Sequence, residues 1–134
     1  VSEPERNKRA LRSMFDAVLE APELDQDAVA RYFAPAYVQR VGEVELDYEG
    51  FIDHMRAQKR AIAETTITIE HLVAEGDAVC SVHHIDARKH DGGEVAGQVI
   101  AYWSFDGDGL IAACKELTHM TAGDRGDRDL GSRT

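Results

Sequence analysis

Only two cysteines, Cys80 and Cys114, occur in 134 residues. They lie far apart, each inside an apolar alternating stretch, which points to two buried free thiols rather than a disulfide. No Cys-x-x-Cys and no paired Cys/His spacing is present, so a zinc centre is not expected. Basic residues are scarce: 15 Lys and Arg stand against 25 Asp and Glu, for a formal charge of −10. Such a field disfavours nucleic acid and anionic membrane surfaces as partners. Apolar runs extend only a few residues, so neither a membrane span nor a secretory h-region is expected, and the charged stretch from Val1 to Arg9 fits a cytoplasmic protein. No glycine-rich phosphate loop precedes any predicted helix, and no organic cofactor is implied. What remains is an ordinary globular composition, 43% hydrophobic and 30% charged. At this length it predicts one compact domain over residues 1–122, followed by a polar tail at 123–134.

The first half of the chain has helical periodicity. Leu11, Met14, Phe15, Val18 and Leu19 form one stripe of a helix from Pro4 to Glu20, with Ser2 and Glu5 at capping-box spacing. Asp25 starts a shorter helix carrying Ala28, Val29, Tyr32 and Phe33, which Pro35 ends. A short strand is possible at Tyr37 to Val41, and Gly42 to Asp47 reads as a polar loop. Asp47 then caps a third helix from Tyr48 to about Ala63, with Phe51, Ile52, Met55 and Ile62 inward and His54 at the stripe's border.

From Thr65 onward the apolar period is two. Strands are predicted at Thr66–Glu75, Ala78–Arg88, Glu94–Phe105 and Leu110–Thr121, separated by Gly- and Asp-rich turns. Helices first and sheet second, without βαβ alternation, define an α+β fold: a curved antiparallel meander with three helices packed on its concave face. The tail alternates Gly, Asp and Arg, and its Arg125-Gly126-Asp127 tripeptide is read as chance.

Tight turns would fix the strand register, because opposed residues of an antiparallel pair share a face. With the shortest turns Val73 opposes Cys80, which opposes Trp103, which opposes Ala112. The inner face then carries His71, His84, Asp86 and Glu116 among apolar neighbours. A buried unpaired charge costs several kcal/mol, so these groups should be paired, neutralised or open to a cavity. His84 and Glu116 flank Val99, with Cα atoms about 10 Å apart at normal strand spacing, and would meet around a small ligand. They are the candidate acid/base pair; a hydrogen-bonded pair that merely completes the core is the alternative. A middle turn one residue longer would put His83 inside in place of His84. Tyr37, Gln39, His71, Val99, Trp103 and Thr118 are the candidates for lining the pocket, and Asp86 sits near a strand end. Strand alternation leaves only His84 and Asp86 on a common face, too few for a metal site. On the other face Val79, Ile85, Ile100, Tyr102, Ile111 and Leu117 call for a second cover, most simply a homodimer.

Three ordered segments carry a family resemblance. Phe33, Tyr37-Val38-Gln39 and Gly50-Phe51 come before and into the third helix; Ala74-Glu75-Gly76-Asp77-Ala78-Val79 forms a hairpin; Trp103-Ser104-Phe105-Asp106-Gly107 with Leu110-Ile111 forms a closing hairpin. Together, over residues 8–121, they resemble the nuclear transport factor 2-like superfamily and its SnoaL-like polyketide cyclase branch. The resemblance implies a cone whose inner sheet face lines a pocket for a small, mostly apolar molecule. Activities on this cone include ketosteroid isomerisation, polyketide cyclisation, dehydration and epoxide hydrolysis, and other members only bind or dimerise. Arg40 stands where cyclase-like relatives often have a His. The Asp–Arg–Asp set of the epoxide hydrolase and the Tyr with paired Asp of the isomerase have no counterpart. Glu116 is the nearest match to the carboxylate common in the cyclases' last strand. The reading is therefore a cofactor-independent isomerase, cyclase or dehydratase acting on a small apolar carbonyl compound, with a non-catalytic ligand-binding or dimerisation module as the alternative.

Overall fold

A computed structural model describes residues 3–123. Ser2 and all of the polar tail except Gly123 lie outside the described residues. Helix α1 (Glu3–Met14) buries Asn7, Leu11 and Met14, and continues as a π-helical turn, Phe15–Leu19, closed by the Glu20 N–H on the Phe15 carbonyl at 2.8 Å. Helix α2 (Gln26–Tyr32) starts where the Asp25 carboxylate accepts from the Asp27 N–H. Helix α3 (Tyr48–Ala61) starts in the same way at Asp47, whose side chain accepts from the Gly50 N–H. These caps satisfy amide groups that the first helical turn leaves without partners.

Six strands follow or intervene: β1 (Phe33–Val41), β2 (Val44–Leu46), β3 (Ile62–Glu75), β4 (Ala78–Lys89), β5 (Glu94–Phe105) and β6 (Ile111–Ala122). They form one sheet in the order β2-β1-β6-β5-β4-β3. The sheet is mixed rather than wholly antiparallel, because β1 runs parallel to β6. The segment expected to be a polar loop folds back as β2 on β1, pairing Gln39 with Leu46. Helices α1 and α3 and the π-turn pack on one face of the sheet, so the fold is α+β and of the cone type. Among the described residues, no helix is long and apolar enough to cross a membrane.

The register differs from that of the tightest turns, and the difference decides which side chains point inward. The β3–β4 hairpin starts as predicted, with Val73 opposite Cys80, then slips by one residue at a bulge between Ile69 and His71. The β4–β5 pairing is one residue off the expectation: Val79 opposes Trp103 and His83 opposes Val99. A one-residue change reverses every side chain of a strand. Val79, Ser81, His83 and Ile85 therefore belong to the helix-covered face, while Cys80, Val82, His84 and Asp86 do not. The β5–β6 pairing moves by two, placing Trp103 opposite Cys114 and Ala101 opposite Glu116, and an even shift leaves the faces unchanged. Both thiols are free; Cys114 is buried, whereas Cys80 is only half-buried on the outer face.

The core unites the α1 stripe, Phe51, Ile52 and Met55 of α3, and inward residues of the sheet. Phe33, Tyr37 and Phe51 form a triangle of rings with centroids 4.7, 4.8 and 5.2 Å apart. Each such pair contributes about 0.5–1.5 kcal/mol beyond its area burial. This cluster fixes β1 and α3 against each other at one side of the hollow that the sheet encloses.

Candidate functional site

The cone is hollow. A cavity of about 100 Å³ lies between the inner sheet face and the helices, roofed by Leu19 of the π-turn and by Phe51, His54, Met55 and Gln58 of α3. Its size is on the order of the ~150 Å³ voids that admit a benzene-sized molecule. The walls are mostly apolar, and the polar groups on them are few: Gln39, His54, Gln58, Thr65, His83, Glu116 and Thr118.

Glu116 is the one carboxylate among the described lining residues. Alternation along β6 places it inward between Cys114 and Thr118, facing Ala101 across the sheet. The structure gives its carboxylate no hydrogen-bond partner among the described residues. Burial, uncompensated by a counter-ion, pushes its pKa up from 4.5 to about 7. A carboxyl group in this state exchanges a proton readily near neutrality.

On the neighbouring strand β1, Gln39 is buried and lines the cavity. The Tyr37 hydroxyl donates to its Oε1 at 2.7 Å. Tyr37 itself stands behind the wall in the aromatic triangle, and its pKa is raised by burial and by the nearby Cys114 and Glu116, so it keeps its proton. With its carbonyl oxygen engaged, Gln39 has its amide N–H groups left for a guest.

Across the cavity, His83 is buried and packs against the ring of Phe15 at 4.9 Å. Burial pushes its pKa down to about 4 against an opposing pull from Glu70, so the imidazole is neutral at pH 7. Ser81 Oγ lies 3.2 Å from its Nδ1 and accepts from Trp103 Nε1 at 3.0 Å.

An apolar chamber with one proton-exchanging carboxyl and neutral hydrogen-bond donors on other walls is equipped for acid/base chemistry on an uncharged molecule. Comparisons with known proteins place the family and the fold. The SnoaL-like domain profile matches residues 11–114. The chain belongs to the SnoaL-like family. A protein of Schizosaccharomyces pombe without a characterised function is 31% identical over 122 residues, covering 91% of this SnoaL-like chain and 92% of the relative. Among solved structures, a candidate SnoaL-like polyketide cyclase from Jannaschia sp. CCS1 superposes with a TM-score of 0.75 at 14% identity, over 88% of each chain. An epoxide hydrolase of the limonene-epoxide-hydrolase-like type from Mycobacterium tuberculosis gives 0.71 at 19% identity, covering 98% of this chain and 92% of the other. At these identities the structures share the fold with the SnoaL-like chain.

Within the SnoaL-like cone, Glu116, Gln39, Val99, Trp103 and Thr118 are brought to one cavity. Tyr37 is one step removed, reaching it through Gln39. His84 and His71 are elsewhere. The reversed β4 register puts His84 on the outer face beside Asp86, 3.3 Å from its carboxylate, and carries His71, which keeps its expected partner Val82, outward with it. Asp86 is likewise exposed. Arg40 points away from the cavity and pairs with Glu45 at 2.8 Å.

Among the polar lining residues, His54, Gln58 and Thr65 lay outside the set of candidate site residues. Gln58 continues the α3 stripe at i+4 from His54, and both face the sheet because Phe51, Met55 and Ile62 hold that side of the helix inward. The spacing was the available signal. A polar residue on a buried stripe marks either a satisfied core group or a pocket wall, and only the hollow separates the two.

Proposed function

We propose that this SnoaL-like protein is a cofactor-independent isomerase, cyclase or dehydratase that moves a proton on a small apolar carbonyl compound held in the cone. The observation that carries the reading is Glu116: a carboxyl with no described protein partner, in an apolar cavity, with a pKa of about 7. Glu116 takes a proton from the carbon next to the carbonyl and returns it elsewhere on the same molecule. No electrons are gained or lost, so no redox partner is required. The Gln39 amide supports the oxygen on which charge develops. The described lining residues include no Arg or Asp, so an Asp–Arg–Asp epoxide hydrolysis has no support here.

The test is solvent deuterium exchange into the α-position of cyclohexanone. The wild-type protein is expected to accelerate it, and Glu116→Gln to lose about 10²-fold or more of that acceleration without losing the fold. If the wild type binds the ketone but exchanges no faster than buffer, the cone is a binding module and the enzyme reading fails.

We also propose that the protein works as a homodimer through the outer sheet face. Val73, Ile100, Tyr102 and Leu117 are 51–68% exposed there, and the pairings Val82–Ile100–Leu117 and Val73–Cys80–Tyr102 make them one strip across β3 to β6. A cytoplasmic location fits two unpaired thiols.

A further inference from the structure

The inner wall carries a hydrogen-bond chain whose direction is fixed by chemistry. An indole N–H can only donate. Trp103 Nε1 therefore gives its proton to Ser81 Oγ, 3.0 Å away. Ser81 is fully buried, and beyond Trp103 the only partner of its side chain among the described residues is His83 Nδ1 at 3.2 Å. Two arrangements are open. If Nδ1–H donated to Ser81, the hydroxyl would accept twice and its own proton would be buried with no acceptor. If the hydroxyl donates to Nδ1, Trp103 Nε1, Ser81 Oγ and Nδ1 are all satisfied, and the one N–H left over is the Nε2–H of a ring that lines the cavity. The first arrangement strands a buried donor, a penalty that ordinary hydrogen-bonded networks avoid. Protons thus run from Trp103 to Ser81 to Nδ1. A neutral imidazole carries one N–H, so the ring proton sits on Nε2.

That Nε2 has no partner among the described residues, while the ring lines the cavity. Phe15, 4.9 Å from the imidazole and 5.9 Å from the Trp103 ring, holds the rings of both against rotation. We propose that His83 presents a fixed Nε2–H donor to the cone, with Ser81 as the positioning residue, and that the ligand meets it with a neutral carbonyl oxygen on a single-ring compound. The inference rests on the reading of the cone as a ligand pocket. Neutrality follows from the lining: no described Arg or Lys faces the cavity, and a carboxylate or phosphate would lie beside Glu116 with no counter-charge. Single-ring size follows from the volume of about 100 Å³.

The first test needs no ligand. In ¹⁵N-resolved NMR of the free protein at pH 7, His83 should show an unprotonated Nδ1 and a protonated Nε2. An Nδ1–H signature would overturn the relay outright. Ser81→Ala should shift the ring toward a tautomer mixture, and Ser81→Thr, which keeps the hydroxyl, should restore Nε2–H. The second test compares acetophenone with α-methylstyrene, a near-isostere lacking the acceptor. The wild type should prefer acetophenone by about fivefold, the size of one ordinary hydrogen bond. Ser81→Ala should lower that ratio, with the Gln39 amide left as the other donor to the oxygen, and Ser81→Thr should restore it. A preference undiminished by Ser81→Ala, or no preference in the wild type, would overturn the carbonyl assignment. Both readouts are independent of turnover, so a failed exchange assay would sink the enzyme reading while leaving this one standing.

Discussion

The ammonium of Lys59 on α3 donates to the backbone carbonyl of Leu19 at 2.9 Å, on the π-turn that roofs the cavity. The same ammonium serves the carbonyls of Val18, at 3.0 Å, and Ala21. The end of any helix leaves carbonyls without intrahelical donors, and one lysine here satisfies three of them. From the other side the Glu20 carboxylate accepts from the Ile67 N–H at 2.9 Å, so the turn is clamped to both α3 and β3. Partial burial pushes the Lys59 pKa down to about 8, and the ammonium still predominates at neutral pH.

Lys59→Met should therefore loosen the roof. Loss of the donor leaves part-buried carbonyls unpaired, at about 1–3 kcal/mol. Hydrogen–deuterium exchange should accelerate over residues 15–21 more than in β4 or β5. Uniform acceleration across the protein would show that the clamp serves global stability and not the turn.

Glu116 and His83 pull the pH dependence of stability in opposite directions. The carboxyl pKa is raised from 4.5 to about 7, so the folded protein keeps a proton that the unfolded chain releases. Its contribution is complete below about pH 4.5 and is lost as pH rises through 7. The imidazole pKa is lowered from 6.5 to about 4, so the unfolded chain takes up a proton that the folded one refuses. That contribution is lost as pH falls from 6.5 toward 4. Relative to wild type, Glu116→Gln should gain stability as pH rises from 4.5 to 7, by on the order of 2–3 kcal/mol at the upper end. His83→Gln should gain as pH falls from 6.5. Urea titrations across pH 4–8 read both, and a pH-independent difference for Glu116→Gln would remove the raised carboxyl from the argument.

The parity of the turns decided how much of this site was legible in the sequence. Glu116, Val99, Trp103 and Thr118 sit on strands whose mutual register moved by two, and an even shift cannot change a face. His84 gave way to His83 because the β4–β5 connection, held by the Lys89 N–H on the Gly93 carbonyl at 2.7 Å, sets a register one residue from the tightest turn. His71 kept its expected partner Val82 and went outward with β4, while a bulge that no turn residue announces held Ile69 and Ile67 on the inner face. Val79 and Ile85 turned inward with the same change in β4, and Ile111 at the irregularity between Ser104 and Phe105, leaving Ile100, Tyr102 and Leu117 as the outer apolar residues. Helix caps at Asp25 and Asp47 were plain because their signals are local. The parallel β1–β6 pairing joins segments distant in sequence, and nothing local records it.

Tyr37 and Gln39 should behave as a coupled unit. The hydroxyl holds the buried amide oxygen at 2.7 Å, so Tyr37→Phe strands that acceptor and is expected to cost about 1–3 kcal/mol. In a Gln39→Leu background the same substitution should be close to neutral, because the partner is gone. Thermal or urea denaturation of the four proteins in the double-mutant cycle gives the coupling directly. Additive effects would mean that the amide finds another donor and is not set by Tyr37.

The outer face makes the last prediction. Leu117 is 68% exposed, so Leu117→Lys removes little from the monomer's core, yet it places a charge on the β6 end of the strip, directly beside Ile100. If that strip is the homodimer contact, the wild type should sediment as a dimer at micromolar concentration and the variant as a monomer. A stable interface of this kind covers about 800 Å² on each partner. Each chain carries a formal charge of −10, so two copies repel at long range. Raising the salt concentration screens that repulsion while leaving apolar contact intact, and the wild-type dimer should tighten accordingly. Its melting temperature should also rise with protein concentration, a dependence the variant loses. A wild-type monomer at micromolar concentration and high salt would rule the interface out.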